Sequence, residues 1–341
     1  MPGRERFMAA ARCQPVDQTP VWFMRQAGRC LPEYRAMRQQ HSFMDMATTP
    51  ELAAEATLLP VDLLGVDAAV LFADIMLPLA SLGVPFEIRP GVGPVIPAPI
   101  RTREDIARLE LRPAKEATPY VMQALGILRE RLGDRTALLG FAGAPFTLAC
   151  YLIEGKPSRE FPHAKAMLYG EPELWHALME RLTAVTVDYL LAQVIAGADA
   201  VQLFDSWLGL LDLDTFRHAV LPYTQRIFAA VNAHAPTIHF STGTDTLLED
   251  IGQSGCQAVS IDWRTSISSA QSRLPEQVAI QGNLDPTLML APWPVIERAA
   301  GSLINQARNR PGYIFNLGHG IIPETDPAKL AKLVTLVHQG T

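Results

Sequence analysis

Basic charge is scarce in this sequence and unevenly placed. Lys and Arg together number 29 against 35 Asp and Glu, a net charge of −6, so no overall positive field exists to hold nucleic acid or an anionic membrane. An anionic ligand has to be met locally. Positive charge is concentrated in residues 1–40, which carry +4 and leave −10 for the remainder. Lysine is confined to positions 115, 156, 165, 329 and 332, none at an expected strand tip, which argues against Schiff-base chemistry. Cysteine is limited to Cys13, Cys30, Cys150 and Cys256, far apart and without a C-x-x-C pair. Neither a disulfide framework nor a thiolate zinc cluster is spelled out, and a reducing cytoplasm suits the pattern. The first residues lack the apolar core of a secretory signal, so export is not expected. Thr136 to Ile153 runs 18 residues without a charge, but Gly140, Gly143 and Pro145 break it, and strand, turn and helix is the better reading than a membrane span. Also missing are G-x-x-x-x-G-K-[ST], H-E-x-x-H and a placed S-x-x-K.

What is present is apolar and regularly punctuated. A 48% hydrophobic, 19% charged chain of 341 residues buries a large core, which excludes disorder and leaves two ordinary domains or one large α/β barrel. No linker or low-complexity tract divides it, so a single domain over 1–341 is expected. Short apolar runs alternate with longer helical stretches. The runs are VWFM (21–24), AAVLFA (68–73), ALLGFA (137–142), AVQLF (200–204), TIHF (237–240), AVSI (258–261), VAIQG (278–282) and YIFNLG (313–318). Helix candidates between them include Pro50 to Leu64, Pro172 to Ala196, Leu213 to His234 and Pro292 to Arg308. Eight buried parallel strands with helical crossovers close most simply into a (β/α)8 TIM barrel, with an open doubly wound sheet as the alternative. The stretch LGVPFEIRPGVGPVI after the second strand reads as an inserted hairpin. Gly91-Val-Gly93 within it only approaches a dinucleotide loop, because Ile96 stands where a third glycine belongs.

Barrel chemistry sits on loops beyond the C-terminal ends of the strands. Those tips carry Arg25, Gln26 and Arg29; Asp74; Gly143; Asp205 and Ser206; Ser241 and Thr242; Asp262; Asn283 and Asp285; and His319. Thr242, Asp262 and Asp285 read as caps or turn residues. In MRQAGR the guanidinium forks of Arg25 and Arg29 can both address carboxylates, while the backbone through Ala27 and Gly28 approaches the ligand closely. A surface helix is the alternative, less attractive because like charges four residues apart repel. Asp74 follows an apolar strand and precedes an apolar segment, so it needs a partner: Arg25, Arg29 or the N–H groups of a ligand. His319, between two glycines, has room to face a ligand or to be a core histidine.

At PVWFMRQAGRCLPEYR (20–35) the sequence resembles the uroporphyrinogen decarboxylase family. Further matches are FADIMLPL around Asp74, GFAGAPFTLACYLIEG (140–155), QLFDSW (202–207), QGNLDP (281–286) and FNLGHGIIPETDP (315–327). Cys30 departs from the family, which usually has an aromatic residue there. The resemblance implies a (β/α)8 barrel, usually a homodimer in the cytoplasm, that removes carbon dioxide from the four acetates of uroporphyrinogen III to give coproporphyrinogen III in heme and related tetrapyrrole synthesis. No cofactor or metal is expected, nor nucleic acid or stable membrane association. Carried onto this chain, the substrate-binding set is Arg25, Gln26, Ala27, Gly28, Arg29, Asp74, Tyr151, Ser206 and His319, with Phe43 as a further ring contact; Asp74, Arg25 and Arg29 are the catalytic candidates. The alternative is a zinc-dependent cobalamin methyltransferase on the same barrel, which binds zinc through H-x-C. Here that tip reads His239-Phe240-Ser241, without the thiolate.

Overall fold

The computed structural model describes residues 1–89 and 91–340. Seven of the eight apolar runs become strands: β1 (Ala68–Val70), then, after a hairpin of β2 (Glu87–Arg89) and β3 (Gly93–Val95), β4 (Ala137–Gly143), β5 (Ala200–Asp205), β6 (Thr237–Ser241), β7 (Ala258–Ser260), β8 (Ala279–Leu284) and β9 (Tyr313–Leu317). All except the hairpin join one parallel sheet in the order β1-β4-β5-β6-β7-β8-β9. The hairpin is antiparallel, with Ile88 opposite Pro94, where an insertion after the second run was expected. β1 is shorter than its apolar run because the amide of Phe72 leaves the sheet and donates to the Thr57 hydroxyl at 2.8 Å.

The first run, VWFM, is an isolated bridge rather than a strand. Val21 pairs in parallel with Phe315 of β9. Phe315 N–H donates to Pro20 O at 2.8 Å, Trp22 N–H donates to Phe315 O at 3.3 Å, and Asp67 N–H, beside β1, donates to Val21 O at 2.8 Å. Both edges of the sheet therefore meet the same segment, and the sheet is curled. Asp67 reinforces the junction: its buried carboxylate accepts from Val21 N–H at 2.8 Å, from Arg6 Nη1 at 2.5 Å, and lies 2.8 Å from His338 Nε2.

Every residue of β4 and β8 is buried, as expected where helices cover a parallel sheet. Inside the curl, Trp22 Nε1 donates to Gln281 Oε1 at 2.9 Å. Gln281 Nε2 donates in turn to Gln202 Oε1 at 2.9 Å and Ser260 Oγ at 3.0 Å. The segment that meets both edges is thus tied to β5, β7 and β8 by side chains as well as backbone.

Proline punctuates the helices as the sequence suggested. Pro50–Leu64 starts on its proline and ends at Gly65, whose φ of 73° suits the left-handed cap. Pro172–Ile195 and Trp293–Ala307 also match expectation. The stretch Leu213 to His234 does not. It splits into Leu213–Ala219 and Leu221–Val231 around Val220, because Pro222 has no N–H to give the carbonyl of His218 four residues back and its ring crowds that carbonyl. Thr136 to Ile153 resolves into β4 and the helix Pro145–Glu154. No helix among the described residues is long and apolar enough to cross a membrane.

Candidate active site

The residues beyond the strand ends gather four expected side chains around one another. MRQAGR is a loop, not a helix, since the next helix opens only at Pro32. Arg25 adopts a positive φ of 60°, and its stem crosses the face of Gly320, where a Cβ would lie 2.5 Å from Arg25 Cδ. That close approach sets Arg25 beside His319, and any side chain at 320 would displace the Arg25 stem. Gly28 is equally constrained, because a Cβ there would meet Arg25 O at 2.5 Å. Arg25 and Arg29 are exposed, and among the described residues neither guanidinium forms an ion pair.

Asp74 is partly buried. Its Oδ1 accepts from Met76 N–H at 2.8 Å, and no cation stands within ion-pair distance among the described residues. Of the partners open to it, pairing with Arg25 or Arg29 is therefore not observed. Burial lifts its pKa to about 6; the Met76 amide and the field of Arg25 pull the other way. At neutral pH it is mostly a carboxylate stripped of part of its hydration, which favours any ligand that brings N–H donors or positive charge.

Tyr151 stands on Pro145–Glu154 and is buried. Burial raises its pKa to about 12, with Asp74 adding to the rise and Arg25 opposing it, so its hydroxyl remains a donor. Its ring meets Trp207 edge-on at 6.1 Å and Phe161 at 6.0 Å. Burial lowers His319 to about 4, helped by Arg25 and Arg264 and opposed by Asp262. Its imidazole is neutral at pH 7, a donor through one nitrogen only, and its ring packs on Phe240 at 5.9 Å.

The remaining candidates lie at the margin. Arg29 sits near Tyr34 rather than Asp74 and opposes the rise that burial gives the Tyr34 pKa. Gln26 is fully buried: its Oε1 accepts from Phe23 N–H at 3.0 Å and its Nε2 donates to Ala68 O at 3.0 Å, so its side chain holds the loop in shape. Ala27 and Gly28 are partly accessible. Ser206 receives the Thr242 hydroxyl on its carbonyl at 3.3 Å and precedes the Trp207 that supports Tyr151. Phe43 packs on Phe72 at 5.2 Å, on the strand exit that leads to Asp74. Asp285 caps Thr287 N–H at 2.8 Å, as expected of a turn residue. Sequence reasoning overlooked Trp207, Trp263 and Arg264; the signal available was their place next to Ser206 and Asp262.

Among the described residues no group of three or more His, Cys, Asp and Glu is placed to hold a metal ion. His239 is fully buried against Phe228 at 5.6 Å, Ser241 shares a hydrogen bond with Thr244 at 2.8 Å, and Cys256 directs its sulfur at Ile251 O. They do not form a common site.

Residues 2–340 match the family model described as uroporphyrinogen decarboxylase (URO-D). The chain belongs to the uroporphyrinogen decarboxylase family. A uroporphyrinogen decarboxylase of Salinispora tropica is 50% identical over 342 aligned positions, covering 100% of this chain and 91% of that protein. One of Geobacter metallireducens is 46% identical, covering 98% of each. Among solved structures, a methyltransferase from Methanosarcina mazei superposes with a TM-score of 0.82 at 22% identity over 99% of both chains. A likeness at that identity speaks for a shared fold and leaves the chemistry to the family's own residues.

Proposed function

We propose that this protein is a uroporphyrinogen decarboxylase, a carboxy-lyase that converts the four acetate side chains of uroporphyrinogen III to methyl groups and yields coproporphyrinogen III for heme and related tetrapyrroles. The observation that carries this reading is Asp74, a desolvated carboxylate whose electrostatic neighbours are Arg25 and Tyr151, in a chain about half identical to proteins of that name along its whole length. The substrate brings eight carboxylates and four pyrrole N–H groups. Arg25 and Arg29 take the carboxylates, with Tyr151, Ser206 and neutral His319 donating to others, while the Gln26 to Gly28 backbone and Phe43 border the ring. Asp74 accepts from the pyrroles.

The chemistry needs an electron sink, and an electron-rich pyrrole supplies one when a ring carbon is protonated. Asp74 stabilises that cationic ring. The bond from the acetate methylene to its carboxylate then breaks, carbon dioxide leaves, and the electron pair flows into the ring to give an exocyclic methylene. A proton adds to that carbon, and loss of the first proton restores the pyrrole. The net change is uptake of one proton and release of one carbon dioxide per acetate. Arginine is a poor general acid, so water or a relay of a substrate carboxyl through Arg25 delivers the proton. No cofactor is required in this scheme.

The segment at 21–24 serves in this reading as the first stave of a closed (β/α)8 barrel with the hairpin β2–β3 inserted after the second, in a single domain over 1–341. The protein acts in the cytoplasm as a homodimer. The test is anaerobic incubation of purified protein with chemically reduced uroporphyrin III and mass analysis of the products. Stepwise loss of four carboxylates is expected; an unchanged substrate overturns the assignment, and stoichiometric zinc with methyl transfer to a thiol would favour the methyltransferase instead.

A further inference from the structure

Beyond β7, the loop 262–265 carries a cation that the reaction scheme does not use. Asp262 is buried and serves as its anchor: Oδ1 accepts from Arg264 N–H at 2.9 Å, and Oδ2 accepts from Gly243 N–H at 2.7 Å and from Arg264 Nη1 at 2.6 Å. The Arg264 guanidinium lies 4.3 Å from the centre of the Trp263 ring, a stacking that holds its plane. Only Nη1 is engaged; among the described residues Nε and Nη2 make no hydrogen bond. The Arg264 side chain is 55% exposed and Trp263 39%, so both reach solvent.

Position gives this pair its meaning. The loop packs on Gly318, where a Cβ would lie 2.6 Å from Trp263 N and 3.0 Å from Trp263 Cε3. The next residue is His319, whose protonation is disfavoured by both Arg25 and Arg264. Arg264 therefore faces the same mouth as Arg25, from the side of β7. Arg25 approaches from the opposite flank of His319, across Gly320.

We infer that Arg264, held flat on Trp263 and anchored by Asp262, binds a peripheral carboxylate of the macrocycle and is a specificity-determining residue for polycarboxylate substrates. This rests on the decarboxylase reading above. A macrocycle with carboxylates around its whole rim cannot satisfy them from one loop, and Arg25 and Arg29 both lie on the loop after the first run. Arg264 supplies a guanidinium from a separate element, with a two-donor edge of Nε and Nη2 suited to a carboxylate fork.

The test compares wild type with Arg264→Gln, Arg264→Lys and the double variant Asp262→Asn/Arg264→Gln in anaerobic turnover of uroporphyrinogen III. Loss of one charge-assisted fork is expected to raise KM roughly tenfold in Arg264→Gln, with kcat within about twofold and a weaker dependence of KM on salt. Arg264→Lys keeps the charge without the fork and falls between. The double variant removes the carboxylate that the single variant would unmask, and its KM stays raised. An unchanged KM in Arg264→Gln, or a double variant restored to wild-type KM, overturns the inference, as does a loss confined to kcat. A wild type that binds the macrocycle but releases no carbon dioxide counts against the decarboxylase reading; equal binding by wild type and Arg264→Gln counts against the role of Arg264.

Discussion

Replacing Asp74 by Asn keeps the shape of the side chain and removes its charge, and the size of the effect follows from the environment. Burial moves this carboxyl from 3.8 to about 6, so its ionised form is held about 3 kcal/mol above its level in water. A cationic ring formed in contact recovers that energy. At an effective dielectric of about 20, unit charges roughly 5 Å apart attract by about 3 kcal/mol. The transition state forfeits this in the variant while the amide oxygen can still accept from pyrrole N–H groups. Turnover is expected to fall roughly 150-fold with KM changed by less than about threefold, a split that marks an interaction made mainly in the transition state. The assay is anaerobic product analysis by chromatography with folding checked by circular dichroism. A correctly folded variant with kcat within fivefold of wild type refutes the electrostatic role.

Three further outcomes follow from the same geometry. Because Asp74 must be ionised, kcat/KM is expected to fall below about pH 6 with unit slope; a profile flat to pH 5 contradicts it, and Asp74→Asn should lack that limb. Arg29 is exposed and, among the described residues, forms no ion pair, so Arg29→Ala should raise KM about tenfold and spare kcat; lost kcat at constant KM would assign Arg29 to the chemical step instead. Asp205 is fully buried, accepts the Thr147 hydroxyl at 2.8 Å and is pushed up to about 7 by burial. A carboxyl raised in the folded state stabilises fully below its unfolded pKa and loses that share as pH climbs through the folded value. Asp205→Asn mimics the protonated form at every pH, so its stability relative to wild type should improve by roughly 2–3 kcal/mol between pH 5 and pH 8; thermal unfolding curves with a constant offset at the two pH values would reject this.

The sequence announced the strands of the parallel sheet because they are buried almost throughout and read as apolar runs, and it announced most helix starts through proline. It misjudged Leu213 to His234 because amphipathic spacing continues across Pro222 while the backbone cannot. The mouth was legible where glycine spacing and isolated polar tips coincided, at Arg25 to Gly28, Asp74 and His319. Gln26 stood among them with no local mark that its amide points inward to Ala68 O. Arg264 was missed for the opposite reason. Its neighbour Asp262 looked like an ordinary turn residue, and only the folded loop shows its carboxylate holding the Arg264 guanidinium near His319. Whether Asp74 pairs with an arginine could not be read from composition at all, since the answer depends on the course of the Arg25 stem over Gly320.

The bonds around the 21–24 segment bear on how the protein is made. Met24 N–H reaches the side chain of Asn316, 292 positions later, and Phe315 is the bridge partner of Val21. During synthesis Trp22 and Phe23 emerge well before Phe315 and Asn316, the neighbours that cover them on that flank. Contacts of such range slow folding and leave sticky surface uncovered in the meantime. Ribosome-bound chains halted before residue 313 should therefore depend on holding chaperones to stay dispersed, and His338, beside the Asp67 carboxylate that also accepts from Arg6, ties the helix Pro327–Gln339 to the helix Gly3–Ala11.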